Sequence, residues 1–121
     1  MTDKYLLSLW SKAVLTSKGE YCYNPECGQP AHSCHHIIRR KHKLTRYDVR
    51  NGLPLCSECH RDVQNRAVSD MDMIPEADRK WLREAAGIMI KDYLVKLGMT
   101  DKEFCEIAAD NLKRIIREGE E

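Results

Sequence analysis

Over residues 3–17, apolar side chains fall at Tyr5, Leu6, Leu9, Trp10, Ala13 and Val14, a recurrence that predicts one buried helical face ending at Gly19. Residues 20–33 (EYCYNPECGQPAHS) break the pattern, with Asn24-Pro25 and Gly28-Gln29-Pro30 marking a knuckle. The period then changes to two. In CHHIIR (34–39), His36 and Ile38 share one face of a short strand, and His35 and Ile37 share the other. A polar, basic loop over 40–50 leads to a second short strand, Leu53-Pro54-Leu55. A helix is expected from Ser57 to Ala67, carrying His60, Arg61 and Gln64. Strand, loop, strand and helix in this order make a ββα unit.

Beyond a Met/Asp linker (68–74), Pro75 suits a first helical position, with Glu76 and Asp78 favourable in the first turn. This helix is expected to run to Leu97 and stop at Gly98. Thr100-Asp101-Lys102-Glu103 has the capping-box pattern and opens a last helix. Its apolar face would hold Phe104, Ile107, Ala108, Leu112 (or Asn111) and Ile115. The two helices are expected to pair as an antiparallel hairpin. The expected fold is therefore α+β: a small ββα core with an N-terminal helix (1–68), and a C-terminal helical hairpin (69–121).

At 121 residues the chain is expected to fold as a small domain short of buried surface, in which a metal staple would help. The start MTDKYLLSLWSK has neither the basic opening nor the apolar run of a signal peptide, and no segment reaches membrane-span length. A cytoplasmic location is expected. There, six reduced cysteines in paired spacings favour zinc over disulfides. Cys22, Cys27, Cys56 and Cys59 form two pairs flanking the His-rich strand, and four thiolates in a tetrahedron would close a structural zinc site. Cys34 and Cys105 are left over.

The net charge of +1 conceals a division along the chain. Residues 38–66 carry Arg39, Arg40, Lys41, Lys43, Arg46, Arg50, Arg61 and Arg66 against Asp48, Glu58 and Asp62, whereas residues 67–121 hold nine basic and thirteen acidic side chains. Positive charge concentrated beside histidines points to a phosphate-bearing partner, with DNA expected. Arg39, Arg40, Arg46 and Arg50 are the candidate phosphate contacts.

The His-His pair, Asn51 in DVRNGLPLC and His60 in LCSECH, set within the cysteine frame, resemble the HNH endonuclease family of ββα-metal, treble-clef nucleases. The resemblance is closest to phage NinG-like recombination nucleases, through Leu9-Trp10, HHIIRR, NGLPLCSECHR and, more weakly, Trp81-Leu82, Gly87 and Tyr93-Leu94. It implies a metal-dependent DNA endonuclease, with recombination or branched DNA as a substrate. His36 would be the general base, His35 and His60 the ligands of Mg²⁺, Mn²⁺ or another divalent ion, and Asn51 the residue that ties the loop and orients the base. The products would carry 5′-phosphate and 3′-hydroxyl ends. Bacteriocin-type relatives with a His-His pair have a further His four residues after the last; Gln64 stands there in this chain. The alternative is a non-catalytic treble-clef zinc module that binds nucleic acid or a protein partner.

Overall fold

The computed structural model describes residues 1–120, beginning with helix α1 (Asp3–Lys18). Thr2 Oγ1 accepts from the Tyr5 amide at 3.1 Å and satisfies one of the donors that a helix start leaves orphaned. Gly19, at φ 96°, turns the chain away while its N–H still bonds Leu15 O. Leu6, Trp10, Ala13 and Val14 are buried as the pattern predicts, but Tyr5 is 39% exposed at the edge of the stripe.

Strand β1 (Ser33–His36) pairs antiparallel with β2 (Gly52–Leu55), His35 opposite Leu53 and His36 opposite Gly52. The first strand is shorter than CHHIIR because Asn51 diverts its end. The Ile37 amide donates to Asn51 O, and the Ile38 amide to Asn51 Oδ1. The intervening loop is not featureless: it holds a one-turn helix, α2 (Lys43–Arg46), and a 3-10 turn at Val49–Asn51. A Cβ at Gly52 would lie 2.5 Å from Val14 Cγ2 and 2.8 Å from Trp10 Cζ2, so only glycine lets β2 approach α1 this closely. Helix α3 (Ser57–Gln64) completes the ββα unit. It stops short of Ala67 because Arg66 adopts a left-handed backbone, φ 62°.

The C-terminal region departs further from expectation. Pro75 precedes the helix as its N-cap, and the continuous helix expected to Leu97 divides into α4 (Glu76–Ala86) and α5 (Ile90–Leu97). At Gly87 the amide turns back to Glu84 O, and that of Ile88 to Ala85 O, tightening the last turn. Helix α4 buries Leu82 and Ala85 whereas α5 buries no residue fully, so packing does not hold the two in one axis. The capping box forms as expected: the Glu103 amide donates to Thr100 Oγ1, and the Thr100 amide to Glu103 Oε1, both at 3.1 Å. It starts α6 (Asp101–Glu120).

The antiparallel hairpin is replaced by a longer-range pairing: α6 lies along α1, and Gly119 leaves room for the Thr16 side chain. The buried face of α6 is Ala109, Leu112 and Ile116, turned from the one expected, and Ile107 is 54% exposed. The reason is the stripe on α1, which the two short strands alone cannot cover. One apolar cluster joins Leu6, Trp10, Ala13 and Val14 to Tyr47, Ala109, Leu112 and Ile116. A second gathers Leu53, Leu55, Val63, Ile74 and Leu82 around the cysteines. Among the described residues, no helix is long and apolar enough to cross a membrane.

Candidate metal and nuclease centre

The four cysteines converge. Cys22 and Cys27 come from the knuckle, Cys56 caps α3 and Cys59 lies in its first turn; their sulfurs all lie within 4.8 Å of one another. Cys27 Sγ and Cys56 Sγ are 3.6 Å apart. A tetrahedron of thiolates around zinc at about 2.3 Å has edges of about 3.8 Å, so the cluster fits that ion. Local backbone explains the convergence. The Cys27 amide bonds Asn24 O, the Tyr23 amide bonds Pro54 O, and the Cys59 amide donates to Cys56 Sγ at 3.4 Å. That last bond is the main cause that lowers the Cys56 thiol to about 7, while burial pushes Cys59 up to about 12. Four sulfurs this close cannot all ionise without a cation among them. Cys34 lies outside the cluster with its thiol on Ser11 O, and Cys105 packs against the first apolar cluster.

Strand alternation sends the two adjacent histidines to different surroundings. His35 faces His60 of α3, ring centroids 5.2 Å apart and nearly edge to face. Its Nε2 donates to Asp70 Oδ2 at 2.9 Å, and both side chains keep some access to solvent, 16% and 22% exposed. His60 Nδ1 lies 3.0 Å from Ser33 Oγ. When Nδ1 donates to that hydroxyl, Nε2 is free to bind a metal, the usual arrangement for a ligating histidine. Burial lowers the His60 pKa, with His35 and His32 adding to the effect. Gln64 is exposed at the end of α3. His32 is exposed, whereas His42 is half-buried at the start of α2.

His36 stacks on Trp10, with ring centroids 3.8 Å apart and planes 10° from parallel. Its Nε2 bonds Arg46 O at 3.0 Å. A carbonyl oxygen can only accept, so Nε2 carries the hydrogen and the lone pair remains on Nδ1. Burial lowers the pKa of His36 to about 4. The ring is thus neutral, and able to accept a proton, throughout the neutral range.

Asn51 holds the loop that supplies that carbonyl. Fully buried, it accepts from the Ile38 amide at 2.6 Å and donates to Ile38 O at 3.0 Å and Thr45 O at 3.1 Å. With its amide spent on backbone, Asn51 positions Thr45 and hence the adjoining Arg46 carbonyl. Trp10 reinforces the same loop by donating Nε1–H to Asp48 O at 2.8 Å.

The four candidate arginines separate into two pairs. Arg39 and Arg40 are exposed and have no ion-pair partner among the described residues. Arg50, by contrast, donates Nε and a terminal nitrogen to the two oxygens of Asp48, at 2.9 and 2.7 Å, and lies 3.5 Å over the Trp81 ring. Arg46 bonds Arg40 O and pairs with Asp3. The guanidinium groups of Arg46 and Arg50 are thus engaged within the fold, while, among the described residues, those of Arg39 and Arg40 are not. Asp48 also caps the 3-10 turn through the Arg50 amide.

Three contributors escape sequence reasoning: Ser33 beside His60, Trp10 over His36, and Asp70 on His35. The apolar stripe marks Trp10 only as core. Asp70 falls in a stretch that reads as linker, and its acidity soon after the His60 helix is the one available signal.

The HNH endonuclease family model matches residues 20–66, a stretch that runs from the knuckle through β1, the loop and β2 to the end of α3. The matched stretch contains His35, His36, Asn51 and His60 together with all four cysteines of the cluster, which could hold a metal ion. No curated protein and no solved structure matches the chain.

Proposed function

We propose that this protein is a divalent-metal-dependent HNH endonuclease that hydrolyses DNA phosphodiester bonds. The observation that carries the reading is the division of labour across β1: His35 turned to His60, and His36 pinned through Nε2 with Nδ1 left as acceptor. His35 and His60 would hold Mg²⁺, Mn²⁺ or another hard divalent ion. Bound there, the ion supplies charge neutralisation at the scissile phosphate and at the departing 3′-oxygen.

The protein side chains do the rest. His36 Nδ1 takes a proton from the attacking water, its ring held in one tautomer and orientation by Arg46 O and the face of Trp10. A pKa near 4 keeps the ring wholly in its accepting form but weakens its drive to take the proton. Positioning of the attacking water against the phosphate by the surrounding side chains would supply the remainder. Asn51 keeps the carbonyl that orients His36 in place. Arg39 and Arg40 contact the phosphate backbone, giving binding directed more by backbone than by base sequence. The closed cysteine cluster holds structural zinc and fixes His60 at the start of α3. Recombination or branched DNA is the substrate class suggested by the NinG-like resemblance.

The test is cleavage of supercoiled plasmid by zinc-loaded protein freed of other metals, with Mg²⁺, Mn²⁺ or none added, wild type beside His36→Ala. Metal-dependent nicking that His36→Ala reduces by at least about a hundredfold, with DNA binding kept, supports the enzyme. No nicking of plasmid or branched DNA under any metal, with DNA still bound, would favour a non-catalytic zinc module.

A further inference from the structure

Two imidazoles make a poor cage for a hard cation. Mg²⁺ and Mn²⁺ prefer carboxylate, carbonyl and water oxygens, whereas purely imidazole sites suit softer ions. Gln64, where a third imidazole would stand, is exposed at the end of α3. A carboxylate does reach the centre from outside the matched stretch. Asp70, in the 3-10 turn Asp70–Met73, meets His35 Nε2 at 2.9 Å. Ligands at adjacent corners of an octahedron with bonds of about 2.1 Å lie about 3.0 Å apart. The His35–Asp70 spacing is therefore that of two neighbouring ligands of one ion, with a hydrogen now between them.

We propose that Asp70 is a direct ligand of the divalent cation, completing with His35 and His60 a two-imidazole, one-carboxylate site. This builds on the nuclease reading for the location of the metal and adds a residue that the family match does not contain. Cation binding requires the other tautomer of His35: Nε2 releases its hydrogen to water, Nδ1 takes one up from water so that the ring stays neutral, and Nε2 and Oδ2 both turn lone pairs to the ion. His60 closes from α3, its ring centroid 5.2 Å from that of His35. The carboxylate gives the site the oxygen donor and negative charge that favour Mg²⁺ or Mn²⁺ over softer ions.

The test uses full-length, zinc-loaded protein and two readouts independent of cleavage. Free Mn²⁺ measured by electron paramagnetic resonance should show Asp70→Asn binding at least about tenfold more weakly than wild type, with zinc content and thermal transition unchanged. Asp70→Cys loaded with Co²⁺ should gain a sulfur-to-cobalt charge-transfer absorption that wild type, its cysteine cluster still filled by zinc, lacks. Mn²⁺ affinity within about twofold of wild type in Asp70→Asn overturns the proposal. So does the absence of that absorption, which would leave Asp70 as an outer partner orienting His35. Cleavage of plasmid and branched DNA read in parallel separates the two claims. Asp70-dependent Mn²⁺ binding without cleavage sinks the nuclease and leaves the ligand; Asp70-independent binding with cleavage does the reverse.

Discussion

The cysteine cluster and the histidine cluster draw on the same short elements, β1, β2 and α3 with their flanks, yet one is closed and the other open. Four sulfurs lie within 4.8 Å of one another, three of the four cysteines are buried, and backbone amides serve their lone pairs. Such a site leaves no corner for water or substrate and acts on stability. The histidine cluster has its members spread between β1, α3 and the turn at Asp70, half-buried, with the His35 and His60 ring centroids 5.2 Å apart. A centre that must admit a phosphate and release a product needs that openness. A closed, zinc-fitting cluster and a looser histidine cluster are thus set side by side within the same small unit.

The separation can be broken most severely at the closed side. Cys56→Ser removes a thiolate from the cluster while the serine hydroxyl can still cap α3, and zinc binding contributes on the order of ten kcal/mol in small metal-stapled units. Loss of stoichiometric zinc and of a cooperative thermal transition is expected. A normal transition with zinc retained would remove the staple from the explanation.

Asn51→Ala should cost about 3 kcal/mol, since it strands the half-buried Ile38 amide and takes a donor from Ile38 O and from Thr45 O, which keeps the Asp48 amide. Urea unfolding at neutral pH measures it. A loss under about 1 kcal/mol would mean that the loop does not depend on this side chain.

Acid should weaken the fold through His36. Its folded-state pKa of about 4 lies below the unfolded value near 6.5, so the unfolded chain takes up the proton first. The stability tied to the neutral ring is complete above about pH 6.5 and is lost as pH falls toward 4. Allowing for partial solvent screening, the loss is about 2 kcal/mol. His36→Gln, compared with wild type at successive pH values from about 7.5 to about 5.5, should lack this component; identical slopes would contradict it.

The smallest effects sharpen the contrast among the arginines. Replacing Arg39 and Arg40 by Ala should reduce the slope of log K for DNA binding against log salt by about one per residue. Arg50→Ala should instead lower stability by about 1 kcal/mol, through the lost Asp48 and Trp81 contacts, and change the slope less. Equal salt effects at all three positions would erase the distinction.

The parts legible in the sequence are those governed by local rules. Cysteine spacing marks the cluster, two-residue alternation places His35 and His36 on opposite faces, and Thr100 with Glu103 announces a helix start. Long-range choices are not legible. The identity of the carboxylate at His35 depends on a contact spanning 35 positions. Likewise, α6 turns to α1 because of a stripe at the opposite end of the chain. Arg39 and Arg46 look alike as letters and differ because Asp3 and the Arg40 carbonyl are folded beside Arg46. The break at Gly87 escapes the pattern for another reason. One glycine costs a helix about 1 kcal/mol, and whether that suffices depends on the packing of each side.

The most direct measurement is the Mn²⁺ dependence of single-turnover plasmid nicking by wild type, His35→Ala and His36→Ala. Division of labour across β1 predicts two different failures. His35→Ala should need at least about tenfold more Mn²⁺ to reach half-maximal rate. His36→Ala should keep the wild-type midpoint while its plateau falls by at least about a hundredfold. If both substitutions move the same parameter, the two faces of β1 do not have separate roles.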